Sequence, residues 1–225
     1  MNFIKTIEYL GQDTSTINRR IRLQSLIHRD CRVETNNVAS NIILPATRQH
    51  RITLMAHYDL YPNSKGYNDN GSGLATLLSL QDIYPEFVEI AFTDKEEVGG
   101  LGSDFYMKNH NPEFVINVDV SGAGECVQFS KYPVNNDFKY DFLSNEVETI
   151  ERFHIPFSDN HIIQNHGVPS MLVFAGDRGN ESQTISKIWS LQHCNENDNK
   201  IELLSEDILQ QVSLYIKKII ENYLK

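Results

Sequence analysis

The sequence predicts an α/β fold, a three-layer α/β/α sandwich about a mixed, largely parallel central sheet. Three observations carry this. From Leu54 onward, apolar runs of strand length alternate with helix-length segments, the pattern of parallel strands joined by crossover helices. Ahead of them, two β-like runs at 31–35 and 39–44 flank the turn formers Asn36 and Asn37 and read as an antiparallel hairpin. The chain closes on a long amphipathic helix, 205–224, with Ser205 as N-cap and Glu206 and Asp207 in its first turn.

The elements follow in order. Residues 14–28 place Ile17, Ile21, Leu23, Leu26 and Ile27 at helical spacing behind Thr14 or Ser15 as a cap. Residues 51–57 are an apolar run of strand length that ends at His57. Beyond Gly71 and Gly73, 74–84 reads as a helix and 87–93 as a buried strand that delivers Glu96 and Glu97. The Gly99-Gly100 turn opens a helix over 102–109, and the strand 114–118 delivers Asp119. Residues 144–154 predict a further helix and 169–175 a strand, while 63–66 and 195–200 are loops beside candidate site residues. With no repeat, low-complexity tract or long polar linker, 1–225 reads as one domain, and 40% hydrophobic content suffices for one core.

Composition narrows the function. A formal net charge of -10 argues against nucleic acid or an anionic membrane surface, both of which attract basic patches. Cys31, Cys126 and Cys194 are odd in number and widely spaced, unlike a secreted disulfide framework. Lys5 and Glu8 interrupt the apolar N-terminal stretch, so it lacks a signal-peptide core, and no segment approaches the ~20 apolar residues of a membrane span. The expectation is a cytoplasmic protein without membrane or nucleic-acid partners.

Chemistry-bearing residues cluster where the predicted strands end, the usual place for ligands in open parallel sheets. In His57-Tyr58-Asp59, residues two apart on extended backbone share a side, so Asp59 can orient the imidazole of a metal-binding His57; a partly exposed strand end is the plain alternative. Asp69 sits in Asn68-Asp69-Asn70-Gly71-Ser72-Gly73, either an ordinary polar turn or a rigid mount for a carboxylate shared by two metals. Glu96 and Glu97, adjacent to each other and near Asp94, repel unless cations compensate; one could bind metal while the other accepts a proton, or the three could form a solvated acidic turn. Asp119 is a loop cap or a ligand, and His193 precedes the last helix. Of the eight histidines, the other six read as loop, surface or helix-end residues. Ile162, Ile163, Met171 and Phe174 could line a pocket but read more simply as core.

In order and context these pieces resemble the co-catalytic di-zinc aminopeptidase family, the group that includes bacterial leucine aminopeptidase-like enzymes, glutamate carboxypeptidase and the glutaminyl cyclases. The matching residues are His57-Tyr58-Asp59, the 68–73 turn, Glu96-Glu97 with 99–103, Asn117-Val118-Asp119, Phe157-Ser158-Asp159 with Gly167-Val168-Pro169, and His193. They span the chain from about Val38 to its end. The resemblance implies two zinc ions, with cobalt or manganese able to use the same ligands. Asp69 would bridge them, His57 and Asp119 completing one site and Glu97 and His193 the other. Asp59 would support His57, and Glu96 would be the general base activating a metal-bridging water.

The implied function is a zinc-dependent exopeptidase, an aminopeptidase or dipeptidase acting on short peptides or aminoacyl substrates. The alternatives are a catalytically inactive metal-stabilised binding module or, since cyclases use one zinc and lack the full His-x-Asp site, less readily a glutaminyl cyclase. The chain departs from the family in having Cys194 after His193, Asn197 where an acid is usual with Asp198 one step late, and Asn160 in place of a histidine. Cys194 reads as an inert buried thiol.

Overall fold

The computed structural model describes residues 1–133, 138–153, 157–193 and 196–225. Its strands are β1 (Arg32–Thr35), β2 (Ser40–Leu44), β3 (Ile52–His57), β4 (Val88–Thr93), β5 (Phe114–Val118), β6 (Cys126–Tyr132), β7 (Thr149–Glu151) and β8 (Ser170–Gly176). They form one sheet in the order β1-β2-β4-β3-β5-β8-β6-β7. The centre is parallel: β3 pairs with β4 and β5, and β5 with β8. The predicted hairpin joins β1 to β2, and β2 and β6 add antiparallel pairings. The sheet is therefore mixed, as expected.

Helices α1 (Phe3–Leu10), α2 (Thr16–Leu26), α3 (Gly73–Ser79) and α7 (Glu206–Tyr223) lie on one face; α4 (Leu101–Asn109), α5 (Asp159–Asn165) and α6 (Glu181–Ser190) lie on the other. The period-two alternation of strands explains the two cores. Leu54, Ala56, Ile90, Phe92, Ile116 and Val118 face α3 and α7, while Met55, Ala91 and Val115 meet Tyr106, Met107 and Ile163. Because β3–α3–β4 and β4–α4–β5 cross on opposite faces, β3 sits at the switch point, and its carboxyl end opens the crevice that holds the site.

Helices α1, α5 and α6 and strand β6 escape the sequence reading. Helix α1 buries Phe3, Thr6, Ile7 and Leu10, and its first N–H groups donate to the Glu206 carboxylate at the start of α7. Helix α6 carries a capping box between Asn180 and Gln183. Strand β6 alternates buried Val127 and Phe129 with Gln128.

The helix expected over 144–154 is a correction. Residues 149–151 pair in parallel with β6 instead, and Arg152 fastens them there. Its backbone N–H donates to Phe129 O (2.8 Å) and its side chain to Gln128 Oε1 (2.8 Å) and Gly179 O (2.7 Å). A sheet edge that must satisfy its backbone groups outweighs local helical spacing. Residue His154, with Cys194, lies outside the described residues. Among the described residues, no helix is long and apolar enough to cross a membrane.

Candidate dinuclear metal site

Five segments deliver the site: the ends of β3, β4 and β5, the turn before α3, and the segment after α6. The polar turn, Tyr67–Ser72, is kinked at Asp69 and Asn70, which leave helical geometry, and is entered through Gly66 at φ +56°, where a Cβ would clash with the Asp69 carbonyl oxygen. Its polar residues divide their work. The Asn70 amide donates to Val118 O (2.8 Å) and accepts from Gly73 N–H (3.0 Å), and Asn68 Oδ1 accepts from Gly122 N–H (2.9 Å). The Ser72 hydroxyl donates to Asn68 O and accepts from Ser121 N–H. These bonds tie the turn to the loop after β5 and leave Asp69 as the acid that faces the crevice.

There Asp69 is shared. Its Oδ1 lies 3.1 Å from His57 Nε2, which is also 3.6 Å from Asp119 Oδ1. Its Oδ2 lies 3.7 Å from His193 Nε2, which is 3.4 Å from Glu97 Oε2. Glu96 stands outside these pairs but lines the same crevice. Asp59 does two things: Oδ1 is 3.4 Å from His57 Nδ1, and its two oxygens accept the backbone N–H groups of Glu96 (3.0 Å) and Glu97 (3.2 Å). All seven sequence-predicted site residues thus come together. Strained backbone gathers here too, with non-glycine residues Lys95 (φ 62°), Val120 (φ 41°) and His193 (φ 59°) in the left-handed region beside or among them.

The donor set fits metal. His57 is buried among carboxylates, yet among the described residues neither of its ring nitrogens, nor Glu97 Oε1, meets a partner in hydrogen-bond geometry. Buried polar atoms left so are costly unless something else engages them. Imidazole with carboxylate suits zinc.

Charge tells the same story. Burial, then the surrounding carboxylates of Asp159, Asp119 and Asp69, push Glu96 well above its usual range. Burial and the nearby Asp69 carboxylate move Glu97 up to about 9. Burial would raise Asp69 as well, but His57 and His193 beside it hold it low; the carboxylates around His57 raise that imidazole despite its burial. Without cations the cluster keeps its protons. Unfolded, Glu97 ionises near 4.5; folded, it stays protonated to about 9, so between these values the native state binds one more proton. His57, raised above 6.5, has the same sign. Stability of the metal-free protein is therefore full in mild acid and falls as pH rises towards 9. Thermal unfolding of chelated protein at pH 5, 7 and 9 should show that descent, and zinc should abolish it.

Two supporting residues were not anticipated. Asp198 is 1% exposed; its Oδ1 accepts the backbone N–H groups of Asn68 (2.9 Å) and Asp69 (3.1 Å), and Oδ2 accepts the Ser64 hydroxyl (2.6 Å). The acid that arrives one step late in sequence thus locks the Asp69 turn. Replacing Asp198 by Ala should weaken zinc binding ~10–100-fold, the usual cost of losing an outer partner, as read by chelator competition. Arg19, fully buried on α2, donates to Gly66 O (2.6 Å) and faces the carboxylates of Asp198, Asp69, Asp59 and Glu97. Asp198 carried a signal, the acid one step late, but its role did not show because it acts from a distant segment; Arg19 carried no local signal at all.

The crevice encloses about 280 Å³. Tyr61 stacks on His193 at 4.7 Å between ring centroids and Trp189 meets it edge-on at 5.7 Å. Phe157, Leu172, Ile188 and Val120 supply apolar wall. Ile163, Met171 and Phe174 are core, as read, whereas Ile162 is half-buried outside the core clusters.

Residues 37–186 match the model of peptidase family M28. The chain belongs to that family. Aminopeptidase YwaD of Bacillus subtilis is 39% identical over 105 residues, covering 40% of this chain and 23% of the relative. A vacuolar membrane protease of Vanderwaltozyma polyspora is 28% identical over 130 residues, 51% of this chain and 14% of the relative. The chain therefore corresponds to a minor part of the curated relatives it matches. Among solved structures, a zinc aminopeptidase from Bacillus subtilis superposes with TM-score 0.63 at 22% identity over 82% of this chain and 50% of that one. Porphyromonas gingivalis glutaminyl cyclase superposes with TM-score 0.70 at 18% identity over 98% and 97%. These likenesses show the M28 α/β fold, and the family implies zinc.

Proposed function

We propose that the chain is a zinc-dependent exopeptidase, an aminopeptidase or dipeptidase, that uses two zinc ions. One observation carries the reading: the two oxygens of Asp69 face separate histidine–carboxylate pairs, while Glu96 is left free of both. His57, Asp119 and Asp69 would hold one ion; His193, Glu97 and Asp69 the other. When bound, zinc supplies Lewis acidity, polarising a carbonyl and acidifying water.

The remaining steps belong to the chain. Asp59, by taking both N–H groups of the Glu96-Glu97 pair, fixes the base relative to the ligand beside it. With positive charge placed among these carboxylates, Glu96 falls from its raised value towards the range in which a carboxyl accepts and returns protons near neutrality. It takes the proton of the attacking water and passes it to the leaving amine. The acidic crevice attracts a free α-ammonium group, and the apolar wall of Phe157, Leu172, Ile188 and Trp189 excludes water beside it. Cytoplasmic placement is also part of the proposal; it rests on cysteine usage, and relatives named as vacuolar membrane proteases lend it no support.

The end-to-end match to a glutaminyl cyclase makes cyclisation the second reading. His57 favours hydrolysis, because a single ion at His193, Glu97 and Asp69 would leave the buried imidazole set between Asp69 and Asp119, and oriented by Asp59, without an ion to hold. A screen of aminoacyl amides, dipeptides and an N-terminal glutaminyl peptide, with zinc supplied, separates the readings. Zinc-dependent release of free amino acids is expected. Ammonia release from the glutaminyl peptide alone would establish the cyclase, and metal binding without turnover would establish a binding module.

A further inference from the structure

A second histidine–carboxylate cluster lies at the opposite end of the sheet, where β3 and β4 begin. Glu89, the second residue of β4, is 4% exposed. Its Oε1 lies 2.8 Å from His110 Nδ1, at the end of α4, and 3.9 Å from His50 Nδ1, just ahead of β3. One ligand atom from each of the three falls within 4.8 Å of the other two. That spacing is comparable to the 3.1–3.7 Å separations in the site at the other end.

The outer nitrogens are what make this a built site. His110 Nε2 lies 2.8 Å from Glu34 Oε2 on β1, and His50 Nε2 lies 2.8 Å from Thr53 Oγ1 on β3. Each imidazole thus has its far nitrogen held by a protein oxygen, which orients the Nδ1 of both rings towards Glu89 Oε1. The Tyr106 hydroxyl donates to Glu89 Oε1 (2.7 Å), and its ring stacks on His110 at 4.1 Å, locking both in place. The side chains of His50, Glu89 and His110 are 20%, 5% and 7% exposed, sheltered yet open enough for an ion to enter.

We propose that His50, Glu89 and His110 form a further divalent-metal site, separate from the catalytic pair, with solvent in the fourth position. Two imidazoles and a carboxylate suit zinc. A bound ion would tie the loop before β3, strand β4 and the end of α4 together, with Glu34 on the edge strand β1 balancing the charge through His110.

The test uses the full chain with the catalytic ligands removed, His57→Ala/His193→Ala, stripped of metal and titrated with zinc and, for its absorption spectrum, cobalt. About one tight equivalent should remain, raising the thermal midpoint. Adding His50→Gln/His110→Gln should remove that equivalent and the shift. In the otherwise unaltered chain the same pair should leave peptide hydrolysis in place. Should the combined variant fail to fold, His50→Gln alone keeps the Glu34–His110–Glu89 contacts and should weaken zinc by more than the ~10–100-fold that loss of an outer partner costs. No zinc bound at equimolar metal by the catalytic-ligand variant, or an equivalent that survives loss of His50 and His110, would overturn the proposal and leave His110 as a proton-bridged ion pair between Glu34 and Glu89.

Discussion

Glu96→Gln should abolish peptide hydrolysis, a fall of ~10²–10⁴-fold in kcat, while zinc content stays unchanged. Glutamine keeps the shape and still presents a backbone N–H to Asp59, so the Glu97 ligand beside it remains in place. What is lost is a group that can take a proton and give it back. KM should move little, because Glu96 is asked to act only as the bond breaks. Single-turnover hydrolysis of an aminoacyl amide, with zinc measured on the same sample, reads both quantities. Retained turnover would assign the base to another carboxyl, Asp159 being the nearest in character behind the crevice wall: it is buried, accepts the Thr93 hydroxyl, and is raised to about 6 by burial.

Asp69→Ala should release both catalytic ions together and reduce hydrolysis at least as far. Each of its oxygens serves a different histidine, so no other single substitution in the site is expected to act on both halves. The turn itself should survive, since Asn68, Asn70, Ser72 and Asp198 hold it through bonds that do not use the Asp69 side chain. Zinc content should fall by about two equivalents, with the equivalent at His50, Glu89 and His110 retained. Unchanged metal content alongside a lowered thermal midpoint would make Asp69 a turn residue only.

Much of this was legible because parallel sheets put chemistry at strand ends. The strands ending at His57, Thr93 and Val118 are short apolar runs, and the residues after them stand out by charge. Helix α7 announced itself by its cap and first-turn acids. What was missed has two physical sources. Residues 149–151 took their conformation from the free edge of β6, a long-range pairing that overrode local spacing. Asp198 and Arg19 act through space on the Asp69 turn, 129 and 47 residues from their hydrogen-bond partners Asp69 and Gly66. By contrast, α1 and β6 carry plain amphipathic and alternating patterns; their signals were local and available. The cluster around Glu89 belongs to the second kind, because its histidines look like ordinary loop and helix-end residues until β3, β4 and α4 are side by side.

The most direct test of a shared Asp69 is an anomalous difference map, collected at the zinc edge from crystals of zinc-loaded protein. Two peaks roughly 3.5–4 Å apart should flank the Asp69 carboxylate, one beside His57 and Asp119 and one beside Glu97 and His193. A lone peak at Glu97 and His193, with none at His57, would contradict the dinuclear site.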